Sequence, residues 1–321
     1  MLIVAVLAPV AKASGEPSER NAQAMGDPAE RPARLRVGVI GAGRVGTVLG
    51  AALERAGHQV IAVSAVSDRS LDRAGRMLPG AVVMRPPELL AAVDLALLTV
   101  PDEALPGLVS GLAATDAPLA GRLMVHTSGR HGTAVLEPAT VRGALPLALH
   151  PVMTFTGRPD DLDRLAGISF GVTAPQPLQP AAEALVIEMD GEPVLIDEAD
   201  RPLYHAGLAS AANHLVALVA QSADLLRAAG VNDPDRMLGP LLSAALDNAL
   251  RLGDAGLTGP VARGDAGTVA EHVRALASAS PEALRAYVAL ARLTADRALA
   301  AGILTAADAQ RLLEVLAGAP R

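Results

Sequence analysis

The string Val39-Ile40-Gly41-Ala42-Gly43-Arg44-Val45-Gly46 constrains this 321-residue chain more than any other feature. It ends a β-rich run, Leu35–Ile40, and opens a stretch, Thr47–Ala56, that reads as a helix closed by Gly57. His58–Ser64 then reads as a second strand. Strand, glycine turn, helix and strand make the first half of a βαβ unit and point to a parallel sheet. Each glycine then has its own task. Gly41 permits the tight turn, Gly43 lets a ligand approach the backbone, and Gly46 lets helix and strand pack closely. A GxGxxG string alone says little in a chain with 30 glycines. Its place between strand and helix makes Gly41, Ala42, Gly43, Arg44, Val45 and Gly46 a dinucleotide loop, with the diphosphate on the free N–H groups of the helix.

The end of the second strand bears on which dinucleotide is bound. NAD-binding loops usually carry an acid there to accept the ribose hydroxyls. Here the stretch is Ser64-Ala65-Val66-Ser67-Asp68-Arg69. Asp68 sits beyond the expected place, while Ser64, Ser67 and Arg69 suit a 2′-phosphate. NADP(H) is therefore expected, with NAD the alternative. Val100 and Pro101, where a later strand ends, are expected to border the cofactor.

The alternation continues with strands expected at 81–84, 94–100, 123–126, 144–149, 168–173 and 193–196, and with helices at 71–77, 87–92 and 105–112. Strands alternating with helices imply an α/β fold, a Rossmann-type doubly wound parallel sheet covered on both faces. After Asp197 the pattern is helical only, with long candidates at 201–229 and 234–252 and a Gly-dense loop at 253–267. Ser280-Pro281-Glu282 and Thr305 to Asp308 open two more helices with N-capping residues in place. The expected organisation is a tail over 1–34, a dinucleotide-binding domain over 35–197 and an all-α domain for substrate and dimerisation over 198–321. The tail is polar after residue 13, and its apolar first ten residues lack the basic start of an export signal. A misassigned start, with Met25 as the true one, is the alternative.

Composition removes several functions. A net charge of -7 with scattered basic residues offers no stripe for a phosphate backbone, so no nucleic-acid partner is expected. No long apolar span is evident, so no membrane partner is expected and the cytoplasm is the expected location. The chain has no Cys, which excludes thiolate nucleophiles and thiolate metal sites, and its histidines are too scattered for a metal centre. Its only lysine, Lys12, lies in the tail.

Five further stretches carry a family likeness: Thr99-Val-Pro-Asp102, His126-Thr-Ser-Gly129, Leu149-His-Pro-Val-Met-Thr-Phe155, Tyr204-His205 with Asn213, and Leu257-Thr-Gly-Pro-Val-Ala-Arg-Gly-Asp265. With the glycine loop, they make the chain resemble a bacterial oxidoreductase family that joins an NADP-binding Rossmann-like half to an uncharacterised helical half. More widely it is similar to the superfamily of 6-phosphogluconate dehydrogenase, pyrroline-carboxylate reductase and the deazaflavin-dependent NADP oxidoreductases, and it resembles alternative ketopantoate reductases. The resemblance implies an NADP-dependent reductase and a homodimer formed through apolar faces of the helical half. Many such relatives use a lysine followed four residues later by an asparagine. Asn213 fits the asparagine, but Ala209 stands where the lysine would be.

Hydride transfer needs the substrate oriented and one proton supplied. Without lysine, that falls to histidine, hydroxyl or carboxylate. His205 is the first choice, near the start of the long helix; eight residues from Asn213, it lies about 80° away on an unbroken α-helix. Ser128, after the fifth strand, sits at the carboxyl edge where open α/β sheets bind ligands. His150 ends the next strand near the same edge, as a second donor or a core histidine. Arg263 is a candidate clamp for a substrate carboxylate, or else the partner of Asp265 in stiffening its loop. Asn248 and His272 are weaker candidates for the same cleft. The expected substrate is a small carboxylated 2-oxo or imino acid, ketopantoate first. The alternatives are an NADP-binding sensor or scaffold without turnover, and hydride exchange with a deazaflavin.

Overall fold

The computed structural model describes residues 34–320; the tail, Lys12 and Met25 lie outside the described residues. The first half alternates as expected: β1 (Arg36–Ile40), α1 (Arg44–Arg55), β2 (Gln59–Ser64), α2 (Asp68–Met77), β3 (Val82–Val83), α3 (Pro86–Ala92), β4 (Leu95–Leu98), α4 (Leu105–Ala113) and β5 (Leu123–His126). A short α5 (Glu137–Thr140) leads to β6 (Leu145–Pro151), and α6 (Asp160–Arg164) to β7 (Ser169–Thr173). Then α7 (Gln179–Glu188), which the sequence reading misses, leads to β8 (Glu192–Leu195). The eight strands form one sheet in the order β3-β2-β1-β4-β5-β6-β7-β8.

Period-two alternation assigns the side chains of β1 to two cores. Val37 and Val39 join Val48, Leu49 and Leu53 of α1 on one face. Ile40 joins Leu89 and Leu90 of α3 on the other. Gly38 lies under α3, where a Cβ would stand 2.7 Å from Leu89 Cγ. The sheet is thus covered on both faces, as its near-continuous apolar strands require.

All neighbouring strands run parallel except β6 and β7, where Ala148 faces Thr173 and Pro151 faces Phe170 in antiparallel register. The connection explains the reversal. Its helix α6 has five residues, about 7.5 Å, whereas β6 has seven, about 23 Å. It is too short to carry the chain back over the sheet, so the chain turns and pairs directly. The ten-residue α7 does make the return, and β8 is again parallel to β7.

Beyond the sheet come α8 (Arg201–Ala209), a π-helical turn (Ser210–His214), α9 (Leu215–Ala228), α10 (Pro234–Leu252), α11 (Gly259–Ala262), α12 (Ala266–Ala279), α13 (Pro281–Ala300) and α14 (Ala306–Ala317). The expected Ser280 and Thr305 side-chain caps are present, accepting from the N–H groups of Ala283 and Asp308. Helix α12 is an addition to the expected set, capped by Asp265. The chain divides into one compact unit ending at Ala209 and a second beginning at Ser210, so α8 belongs with the sheet rather than with the helices beyond residue 197. The anchor is Arg201, whose guanidinium is hydrogen-bonded to the carbonyl oxygens of Ala148 and Gly171.

The second unit has its own core, in which Val269, Val273, Leu284, Ala291, Leu312 and Leu316 meet. Helices α9 and α10 contribute little to it and expose Leu215, Val216, Leu218, Met237, Leu241, Leu246 and Leu250 to solvent. The sequence reading also undervalues one span: Glu198–Ala228 reaches a mean hydropathy of 1.2 over 18 residues, none of them buried.

Phe170 is fully buried in the first core, against Gly191 and Val186. Phe170→Ala is expected to destabilise the sheet unit by about 3–5 kcal/mol, visible as a lowered urea midpoint with an unchanged m-value.

Candidate functional site

Strand order reverses between β1 and β4, and the glycine turn lies at their carboxyl ends. Open α/β sheets bind ligands at such a point. A cleft of about 760 Å³ opens there, lined by Gly41 to Val45, Ser64, Ser67, Ser70, Thr99, Val100, Pro101, Asp102 and Thr127.

The three glycines differ in their surroundings. Gly41 has φ +94°, and a Cβ on it would press on the Thr99 backbone at 2.9 Å. A Cβ on Gly46 would overlap Thr99 Oγ1 and the Gly41 carbonyl oxygen. Gly43 is the open one, its nearest such neighbour being the Gly41 oxygen at 3.8 Å. Two glycines close the turn against β4, and the third leaves bare backbone facing the cleft. Thr99 Oγ1 locks the turn by donating to the Gly41 oxygen at 2.6 Å. No side chain caps α1 at Gly43 and its first turn holds no acid. Its leading N–H groups are therefore a seat for an anion.

At the end of β2, Ser67 Oγ caps α2 by accepting from Ser70 N–H at 3.3 Å. Helix α2 brings Arg69 and Arg73 beside Arg44, and burial first, then Arg69, Arg44 and Arg76, push the Arg73 guanidinium below its usual range. Arg44 and Arg73 meet at Gly157, which a Cβ would bring within 2.7 Å of Arg73 Nε. Asp161 fixes that loop, accepting from the N–H groups of Thr156 at 2.7 Å and Gly157 at 2.8 Å. Among the described residues, Arg44, Arg69 and Arg73 form no ion pair. Arg73 is not among the residues expected from sequence, although Arg69, Arg73 and Arg76 follow helical spacing that places them on one face.

The cleft wall reaches Thr127, and the next two residues begin a second group. His126 is fully buried; its Nε2 donates to the Gly132 carbonyl at 2.8 Å and its Nδ1 accepts from Ser128 N–H at 3.2 Å. Burial, with Arg201 and His131 adding to it, pulls its pKa from 6.5 to about 4. It is a neutral strut for the loop. Ser128 is buried too, its Oγ accepting from His131 N–H at 3.2 Å. The next residue, Gly129, faces two histidines: a Cβ there would lie 2.6 Å from His205 Cδ2 and 2.9 Å from His150 Nε2. His150 Nδ1 is 2.8 Å from the Tyr204 hydroxyl. Burial first, then Arg201 and His205, lower the pKa of His150 to about 4, against a small opposing effect of Asp102. The structure thus brings Ser128, His150 and His205 together and adds Tyr204, which the sequence reading left in a motif without a role.

The other candidates belong to the second unit. Asn213 lies in the π-turn, so the unbroken α-helix assumed between it and His205 is interrupted. Arg263 is exposed and forms no ion pair among the described residues; Asp265 instead caps α12, its two carboxylate oxygens bonded to Thr268. The stiffening Arg263–Asp265 pair is therefore not formed. Asn248 is exposed, and His272 Nδ1 is 3.0 Å from the Tyr287 hydroxyl beside a separate cavity of about 320 Å³. No group of metal-ligating side chains occurs among the described residues.

Residues 20–151 match the Rossmann-like domain family, and residues 168–294 match the domain of unknown function DUF2520. This is the pairing that the sequence resemblance implies. The fold is similar to that of a candidate NADP oxidoreductase from Bacteroides fragilis, at 24% identity and TM-score 0.65, over 82% of this chain and 98% of that one. A protein of Thermotoga maritima is similar at 21% identity and TM-score 0.63, over 83% and 99% of the two chains. An imine reductase from a Pseudomonas species is similar at 22% identity and TM-score 0.60, over 88% and 100%. No curated protein sequence matches significantly.

His126 gives a pH signature. Its folded pKa of about 4 lies below the ordinary 6.5, so the unfolded chain binds more protons between those values. Stability is expected to fall as pH drops from 6.5 towards 4. His126→Asn should reduce that slope in urea titrations at successive pH values.

Proposed function

We propose that this chain, a Rossmann-like domain joined to a DUF2520 domain, is an NADP(H)-dependent reductase of a small carboxylated 2-oxo or imino acid. The observation that carries the cofactor is the bare Gly43 backbone beside three arginines without acidic partners. The diphosphate would rest on the first turn of α1, and a 2′-phosphate would take Arg69 and Arg73. With no acid at the end of β2 to favour free ribose hydroxyls, NADP(H) is preferred over NAD. When bound, the reduced nicotinamide supplies a hydride to the carbon of a C=O or C=N bond. The chain must then deliver a proton to the oxygen or nitrogen. His150 and His205, which flank Gly129 two residues past the cleft wall at Thr127, are the donors we offer for it, with Ser128 holding the loop. The names of the Bacteroides and Pseudomonas proteins agree with reduction of this kind. Ketopantoate is the first oxo acid to test, and Arg263 and Asn213 are the residues offered to its carboxylate and polar groups.

The apolar faces of α9 and α10 we assign to a second copy of the chain. An exposed stripe of this extent is unusual on a monomer. Two helices presenting it side by side suit a two-fold, self-complementary interface. Leu241→Glu with Leu250→Glu is expected to convert a dimer to monomer in sedimentation without detergent; a monomeric wild type would remove the assignment.

NADPH should bind at least about tenfold more tightly than NADH. Arg73→Met should cost about 10- to 100-fold in NADPH affinity while sparing NADH, read by fluorescence titration. NADPH oxidation is then followed with ketopantoate and with cyclic imino acids. His205→Ala is expected to lower kcat by about 10²–10⁴ with NADPH affinity retained. Tight NADPH binding without turnover of any of them would instead favour the sensor.

A further inference from the structure

We propose that Arg201 is a positioning residue of this reductase: it ties the first turn of α8 to strands β6 and β7 and to the loop after β5, and so sets the hydrogen bond between Tyr204 and His150 that aims His150 Nε2 at Gly129. The proposal rests on the reductase reading for its chemistry, but its geometry stands apart from it.

Arg201 is 0% exposed and the largest fully buried side chain among the described residues. Its Nε donates to Thr173 Oγ1 at 2.7 Å, and one terminal nitrogen donates to the oxygens of Ala148 at 3.1 Å and Gly171 at 3.0 Å. The other reaches the Ser128 oxygen at 3.4 Å. None of these acceptors is a carboxylate; Glu198 acts on the charge without a hydrogen bond, and burial outweighs it, an expensive arrangement for a mere staple. Three residues on, one helical turn, the Tyr204 ring lies with its centroid 5.7 Å from the guanidinium carbon. Gly171 makes room for the Tyr204 hydroxyl, since a Cβ there would stand 2.6 Å from its ring carbon Cζ.

The charged and titratable groups facing His150 are Arg201, His205, Asp102 and Tyr204. Burial is the largest influence and, with Arg201 and His205, opposes a charged imidazole, while Asp102 favours one. A neutral His150 accepts the Tyr204 proton at Nδ1 and keeps its own proton on Nε2, which faces Gly129. Burial holds the Tyr204 hydroxyl above its ordinary range, with Arg201 and a Gly171 backbone hydrogen bond opposing. The proton balance follows. As the substrate heteroatom takes the Nε2 proton, the Tyr204 O–H bond breaks and an Nδ1–H bond forms. His150 ends neutral in its other tautomer, and the negative charge ends on the Tyr204 oxygen, where the Arg201 charge favours it. Solvent protons restore the hydroxyl.

The test is nitrogen-15 NMR of histidine-labelled full-length protein, with Arg201→Met, Arg201→Lys and Tyr204→Phe. In the wild type, His150 is expected to be neutral down to pH 5 and protonated on Nε2. Tyr204→Phe should abolish that tautomer preference, and Arg201→Met should raise the titration midpoint by about a unit. Arg201→Lys keeps the charge but not the forked grip on β6, β7 and the Ser128 loop, so it should keep His150 neutral while blurring the tautomer. With ketopantoate or a cyclic imino acid that the wild type turns over, Arg201→Met should lose at least about tenfold in kcat with NADPH affinity unchanged. A wild-type His150 that titrates near 6.5 or carries its proton on Nδ1 would overturn the proposal, and that measurement needs no variant to fold. Absence of turnover in the wild type, with the Nε2 tautomer present, would count against the reductase reading alone.

Discussion

Helix α1 can lie on the sheet only because Gly46 has no side chain. Any Cβ there would drive into Thr99 and the Gly41 carbonyl, prising the helix from the strands that it covers. Much else depends on this contact. It puts the first turn of α1 over the point where strand order reverses. It lets Thr99 pin the Gly41 turn, and it leaves Gly43 as the one bare stretch of backbone facing the cleft. Packing and ligand access are set by the same few atoms, so a substitution here would be felt in both.

The arginines divide into two groups with opposite physics. Arg44 and Arg69 stand in solvent with Arg73 tucked beneath them, and their mutual repulsion is unrelieved by any acid among the described residues. A ligand phosphate would relieve it, which makes the cluster a site in waiting. Arg201 is relieved already, by carbonyl oxygens, and no ligand reaches it. Its charge acts instead on the neighbours that share its dry surroundings: His126, His150 and Tyr204. In a chain whose only lysine lies outside the described residues, arginine fills both roles.

What the sequence shows of this arrangement depends on how far apart the cooperating residues are. The glycine loop is local and was legible in full. The Arg69, Arg73 and Arg76 face is equally local, one helix with regular spacing, but its meaning as a cation cluster needs Arg44 from another element. The reversed strand β7 is deducible only from the length of the connection before it, which contains too little helix to return. Arg201 could not have been found this way. Its meaning lies in Ser128, Ala148, Gly171 and Thr173, contributed by two strands and the loop after a third, and nothing around residue 201 announces that they meet there. The same contacts explain why the sheet unit continues past the residue at which the strand pattern ends.

The sheet's outer edge has a bearing on assembly. Strand β3 has two residues, Val82 and Val83, both exposed. Two residues present too few unpaired backbone groups to template a further strand, so apolar character there does little harm. Growth of the sheet by addition is blocked at that end by brevity rather than by charge. A chain built this way can leave greasy helices in solvent without also inviting ribbon-like aggregation along β3.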